Sequence, residues 1–209
     1  MLSLYSYECP QNYPRNSMNA SKEEYLTLMR SGKLFKLEAD LFRQWYTRAK
    51  ELCKRYNATD QFSNSEDDDC RREKILRELL GVCGNRPEIE PPFRCDFGFN
   101  ITIGDFFVAE PKLVILDASS VEIGNNVNFG HGVHLYAADH PRAASARGTW
   151  TMFGSPIKIG NNVSLGSGTL VMSGVTIGDG CVVQPGSVVT KDIPPRVVAG
   201  GNPCRVLQL

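Results

Sequence analysis

The sequence predicts a mainly β protein, a parallel β-helix preceded by a small α-helical domain, and three observations carry that expectation. Aliphatic residues recur every six positions, at Ile159, Leu165, Val171, Ile177, Val183 and Val189. A second set keeps the same step two residues earlier, at Ile157, Val163, Thr169, Val175, Cys181 and Ser187. Glycine follows the aliphatic position at Gly160, Gly166 and Gly178, and Met172 interrupts the series. A six-residue period belongs neither to an α-helix nor to an ordinary strand pair. It is the period of a β-helix, whose flat faces turn an aliphatic residue inward and whose corners take small or polar ones. Such a prism leaves few side chains for chemistry, so function is expected in the loops that leave it.

Residues 1–21, rich in Tyr, Asn and Pro, read as a loose N-terminal arm. Residues 22–92 read as the helical domain. Between Lys22 and Tyr56, the residues Leu34, Leu37, Leu41, Trp45, Ala49, Leu52 and Tyr56 keep spacings near three and four, the mark of a helix face. Gly32 divides a short first helix from a longer second one. The run from Ser63 to Asp69 is a solvated turn whose acids suit a helix start. Ile75, Leu76, Leu79 and Leu80 mark a third helix ending near Gly81. Pro91 and Pro92 stop helical continuation, so residues 93–209 read as the β-helix with its C-terminal arm.

The six-residue pattern starts irregularly at Ile101 and Ile103, passes Val114/Ile115 and Val121/Ile123, and settles at Phe129 and Leu135. It then breaks over residues 136–156, YAADHPRAASARGTWTMFGSP. A long excursion from a repeat fold is either functional or disordered. His140, Trp150 and Met152 make this one suited to a pocket wall.

Composition narrows the function classes. Lys+Arg and Asp+Glu both number 23 in 209 residues, which gives no electrostatic argument for nucleic acid or an anionic membrane. No apolar run approaches the roughly 18–20 residues of a membrane span, and the first residues lack the pattern of a signal peptide. Seven cysteines are scattered without a CxxC pair, as expected of reduced thiols in the cytoplasm.

The segments EPPFRCDFGFNITIG, GVHLYAADHP, SPIKIGNNVSLGSG, GVTIGDG, GSVVTKDIPP and GGNPCRVL resemble the maltose and galactoside O-acetyltransferases, members of the hexapeptide-repeat acyltransferases. The helical stretch GKLFKLEADLFRQWYTRAKELCKRYN is similar to the N-terminal domain of the maltose acetyltransferase group. The resemblance covers residues 22–208. It implies a left-handed β-helix, a homotrimer with active sites between subunits, acetyl-CoA as co-substrate, and a hydroxyl, usually of a sugar, as acceptor.

Acetyl transfer from a thioester to an alcohol requires removal of the alcohol proton during attack. A neutral imidazole suits that task, and His140 falls at the family's catalytic histidine. Direct attack by the acceptor is expected, with positioned N–H donors for the oxyanion. By match to the family's motifs, Ser167, Pro185, Thr190, Lys191 and Arg205 occupy coenzyme positions. Asp96, Met152 and Trp150 are acceptor-side candidates. Asp96 also reads as a turn-capping carboxylate and Met152 as a packing residue. His131 and His134 lie within ten residues of His140, but the GVHLY setting of His134 resembles metal-free members, so no metal is expected.

Four positions depart from the family pattern. Glu110 stands where the family usually places Asn, and a carboxylate there would repel the developing oxyanion unless protonated, turned away, or itself an acid or base. Ser164 replaces a Trp, Pro185 replaces a small residue, and the acidic ligand of the helical domain is left to Glu38 or Asp40. The leading expectation is an O-acetyltransferase for a sugar or secondary metabolite other than the family's usual acceptor. One alternative is an isomerase, lyase or cyclase using His140 and Glu110 as a base–acid pair. The other is a trimeric scaffold with a dead pocket.

Overall fold

A computed structural model describes residues 22–36, 39–59, 66–144 and 151–208. The expected arm over 1–21, the turn residues 63–65, Glu38 and Trp150 lie outside the described residues. Among the described residues three helices come first: α1 over Lys22–Arg30, α2 over Ala39–Asn57 and α3 over Glu66–Leu79. The apolar stripe of α2 (Trp45, Ala49, Leu52, Cys53, Tyr56) is buried, as are Ile75, Leu76 and Leu79 of α3. No helix among the described residues is long and apolar enough to cross a membrane.

The rest is a left-handed parallel β-helix of about six turns. Each turn has three faces, and each rung is only two or three residues long. The first face stacks Val82–Cys83, Ile101–Ile103, Val121–Ile123, Ile157–Ile159 and Thr176–Ile177. The second stacks Glu88–Ile89, Val108–Ala109, Asn128–Phe129, Ser164–Leu165, Val182–Val183 and Val198–Gly200, with Arg205–Gln208 folded back antiparallel on the last. The third stacks Arg94–Cys95, Val114–Leu116, His134–Tyr136, Leu170–Met172 and Val188–Val189.

Both six-residue columns point inward. Ile159 through Val189 and Ile157 through Ser187 are all buried, each aliphatic member contributing about 1.5–3 kcal/mol. The polar members of the second column find carbonyls close by: Thr169 Oγ1 donates to Gly166 O at 2.6 Å and Ser187 Oγ to Gln184 O at 2.5 Å.

The glycine series follows from corner geometry. A Cβ on Gly166 would stand 2.5 Å from the Pro185 nitrogen of the next turn, so the corner between the second and third faces stacks too tightly for a side chain there. Met172 holds the equivalent place at the corner between the third and first faces, and its side chain is 37% exposed. The break in the sequence pattern therefore marks a corner that opens outward.

The helices cover the N-terminal end of the prism, where inward side chains would otherwise meet water. Tyr56 Oη donates to Ile89 O at 2.6 Å, and Arg72 Nη2 donates to the same carbonyl at 2.8 Å. Asn57 exchanges two hydrogen bonds with the Phe93 backbone.

Two readings of the sequence change. Phe35–Lys36 is not helical; it pairs antiparallel with Thr151–Met152 of the excursion. Tertiary pairing overrides the local spacing of Leu34 and its neighbours, and Leu34 is left exposed. The rungs at Val82–Cys83 and Glu88–Ile89 pair with later turns, ahead of the Pro91–Pro92 pair that divides the chain on sequence. Only Ile89 is buried in those short rungs, too little to register as a period.

Candidate active site

Strand register sorts the candidate residues by corner. Asp96, Asp117, the excursion with His140, Thr190 and Lys191 all follow rungs of the third face and lie at the corner leading to the first. Glu110, His131, Ser167 and Pro185 follow rungs of the second face and lie at the corner leading to the third. Within one chain the two groups are a full face apart, roughly 15–20 Å at a strand's rise per residue. Arg205 starts the antiparallel tail on the second face.

The excursion leaves the third turn after Tyr136. Asp139 and Phe153 exchange two backbone hydrogen bonds, 2.7 and 3.0 Å, which close its base. His140 N donates to Asp139 Oδ1 at 2.7 Å, and the imidazole Nδ1 faces Thr151 O at 3.4 Å. Both residues of the Asp139-His140 pair are exposed. Pairing with Phe35–Lys36 brings Met152 into an apolar cluster with Phe35, Trp45 and Phe97. That cluster includes Phe97, the residue after Asp96.

Asp96 pairs with Lys50 of α2 at 3.5 Å, and the Lys50 ammonium donates to Cys95 O at 2.8 Å. Beneath it, Asp117 Oδ1 accepts the amides of Asp96 and Phe97 at 3.0 and 2.9 Å. Asp117 is fully buried, and among the described residues its Oδ2 has no hydrogen-bond partner; neither has the buried Ser119 Oγ. Burial pushes the Asp117 carboxyl up to about 6.

Glu110 does not meet His140 within one chain. Its Oε2 accepts the His131 amide at 2.9 Å, a donor shared with Ser167 Oγ at 3.1 Å. One N–H thus links three successive turns at the corner carrying Ser167 and Pro185. His131 itself is exposed. His134 Nδ1 lies 2.7 Å from Tyr136 Oη, and burial holds its imidazole below the usual histidine range. Among the described residues no group of three His, Cys, Asp or Glu side chains is arranged to hold a metal ion.

Sequence reasoning did not find Lys50, Asp117 or the contact between Cys53 and Cys95, whose sulfurs lie 3.7 Å apart. Each depends on a pairing across tens of residues, for which a single sequence carries no spacing signal.

A three-faced prism with a six-residue repeat, one corner opened around an exposed histidine, defines a hexapeptide-repeat transferase. Residues 156–191 match the family described as bacterial transferase hexapeptide (six repeats), and residues 28–84 match the maltose acetyltransferase hexapeptide capping motif. The galactoside O-acetyltransferase of Escherichia coli K12 is 40% identical over 180 residues, covering 86% of this chain and 86% of its own. The crystal structure of a maltose O-acetyltransferase from Clostridium difficile 630 superposes with a TM-score of 0.82 at 41% identity, covering 88% of this chain and 96% of the other. A hexapeptide-repeat acetyltransferase of Vibrio cholerae, complexed with acetyl coenzyme A, gives 0.78 at 31% identity, covering 88% and 97%. The chain belongs to the maltose and galactoside O-acetyltransferase family of hexapeptide-repeat acetyltransferases.

Proposed function

We propose that the enzyme transfers an acetyl group from acetyl-CoA to a hydroxyl of a small molecule, with His140 as general base. The observation that carries this reading is the setting of the imidazole. A carbonyl only accepts, so the Thr151 oxygen facing Nδ1 favours the tautomer with the proton there, leaving the Nε2 lone pair free. Nε2 takes the hydroxyl proton as the alcohol oxygen attacks the thioester carbonyl. Collapse of the tetrahedral intermediate breaks the C–S bond, and His140 returns the proton to the leaving thiolate. The acetyl coenzyme A complex of the Vibrio cholerae neighbour supports the donor, and the galactoside and maltose relatives support a hydroxyl acceptor.

Ser167, Pro185, Thr190, Lys191 and Arg205 are assigned to the coenzyme, and Asp96, Met152 and Trp150 to the acceptor side. Because the two corners of one chain stand a face apart, a site using both draws the second from another copy. Val114, Leu116, Leu170, Met172 and Val188 point outward from the third face, with His134 and Tyr136 between them, a largely apolar surface suited to that contact. A homotrimer closes such head-to-tail contacts about a threefold axis. Seven scattered cysteines, those described all unbridged, suit a cytoplasmic enzyme. Glu110 is assigned to holding the coenzyme corner through the His131 amide, which turns one carboxylate oxygen away from the oxyanion.

The deciding experiment follows thiol release from acetyl-CoA with a panel of alcohols. His140→Ala should lower kcat by roughly 10²–10⁴-fold with coenzyme binding unchanged. Turnover equal to the wild type would remove His140 from the chemistry.

A further inference from the structure

One pair of reactive side chains has no part in acetyl transfer. Cys53 of α2 and Cys95 of the first third-face rung hold their sulfurs 3.7 Å apart where the helices meet the prism. The contact is framed on both sides. Lys50, one turn before Cys53 on the same helix, donates to the Cys95 carbonyl at 2.8 Å. Asp117 holds the next amides, of Asp96 and Phe97, at 3.0 and 2.9 Å. The thiols therefore meet along a fixed junction between two elements 42 residues apart in sequence.

We propose that Cys53 and Cys95 form a reversible disulfide, a redox modification site that ties the helical cap to the β-helix. Cys53 is 5% exposed and Cys95 0%, so a small oxidant reaches the junction from the Cys53 side. The hydrogen bond from Cys95 pulls the Cys53 thiol down to about 7, and the Lys50 charge assists. The same hydrogen bond, together with burial, keeps the proton on Cys95. Cys53 is thus the attacking thiolate and Cys95 the resolving thiol.

The oxidant by class is a hydroperoxide. Cys53 sulfur attacks its distal oxygen, the O–O bond breaks, and Cys53 sulfenic acid and one molecule of water (from hydrogen peroxide) form. Cys95 sulfur then attacks the sulfenic sulfur, the S–O bond breaks, and a second water leaves with the Cys95 proton. The two thiols lose two electrons and the peroxide gains them. Bond formation draws the sulfurs from 3.7 Å to about 2.05 Å, and a small shift of α2 toward the rung supplies the movement. A thiol donor reverses the step by exchange. Asp96 follows Cys95 directly and pairs with Lys50, so the link also stiffens the open corner beside the excursion.

The test uses the full chain in neutral buffer with a small excess of hydrogen peroxide. Alkylation under denaturing conditions, digestion without reductant and mass spectrometry then identify the linked peptides. The expected result is a Cys53–Cys95 cross-link that dithiothreitol removes, and an unfolding midpoint raised by roughly 5–10 °C. Cys53→Ser and Cys95→Ser should each abolish both the link and the shift. A dimedone adduct should accumulate on Cys53 in the Cys95→Ser protein. Oxidation confined to exposed Cys70, or Cys53 driven to sulfinic acid with no link, would overturn the proposal. None of these readouts depends on acetyl transfer, so the result stands whatever that reaction proves to be.

Discussion

Two corners of the same prism are built for opposite purposes. Between the first and second faces, side-chain oxygens climb the axis as a ladder. Asp105 Oδ1 accepts Asn85 N, Asn125 Oδ1 accepts Asp105 N, Asn161 Oδ1 accepts Asn125 N, and Asp179 Oδ1 accepts Asn161 N, at 2.7–2.9 Å. Each step repeats the last and joins one turn to the next. The corner between the third and first faces also ties turn to turn, but each time with a different group: Asp117 Oδ1 accepts Asp96 N, Ser173 Oγ accepts Ser155 N and Asp192 Oδ1 accepts Thr176 N, at 2.7–3.0 Å. It carries the Lys50–Asp96 pair, the buried Asp117 with an orphaned oxygen, and the excursion with His140. The repeat is maintained where it only has to stack and gives way where the excursion leaves the prism. Irregularity at this corner thus stands beside strict repetition at the corner between the first and second faces.

The largest effect should come from the core that both corners share. Phe129 is buried and meets Phe107 edge to face, centroids 5.0 Å apart. Phe129→Ala should cost about 3–5 kcal/mol in urea unfolding. A loss below about 1 kcal/mol would mean that the stack collapses around the cavity and that the corner staples dominate.

Next in size is a pH effect confined to the open corner. Desolvation raises the Asp117 carboxyl from 3.8 to about 6; the Phe97 amide opposes the rise and the Asp96 charge adds to it. The unfolded chain gives up this proton near 3.8, while the folded chain keeps it until about 6. Its contribution to stability is thus complete below about 3.8 and is lost as pH rises through 6. The ceiling is on the order of 3 kcal/mol for a shift of this size. Asp117→Asn keeps an acceptor for the Asp96 and Phe97 amides and should remove that slope. Urea midpoints at fixed protein concentration, measured at pH 4.5 and 7, would show wild type losing more stability than the variant. Parallel changes would mean that Asp117 does not titrate between those values.

Repetition explains how much of this was legible beforehand. Ile159, Leu165 and Val171 announce the prism because the same environment recurs turn after turn, and each recurrence reinforces the signal. His140 was legible for the opposite reason, since it sits where the period stops. The pairing of Phe35–Lys36 with Thr151–Met152 left no trace, because two-residue strands have no period. Lys50 and Cys53 look like ordinary residues at the edge of a helix stripe, and only docking onto Cys95–Asp96 gives them partners. The sequence also placed Glu110 beside the chemistry, while its capping of the His131 amide depends on how adjacent turns align.

The smallest effect belongs to the stapled corner, and it separates stacking from catalysis most cleanly. Asn161 Oδ1 accepts the Asn125 amide at 2.9 Å, and its own amide donates to Asp179 at 2.7 Å. Asn161→Ala removes the first bond and the longer one from Asn161 Nδ2 to Asp179 Oδ1 at 3.3 Å, and leaves the second, because the backbone donor remains. Asn125 is exposed, so water can take the place of the lost oxygen, and the cost should be about 1 kcal/mol. Acetyl transfer should be unchanged, because this corner stands on the far side of the first face from the excursion. Stability lowered with kcat and KM intact would confirm the division between a corner that stacks and a corner that reacts. A fall in kcat at full occupancy of the folded state would mean that strain at one corner travels along the rungs to the other, and the two corners would then have to be treated as one device.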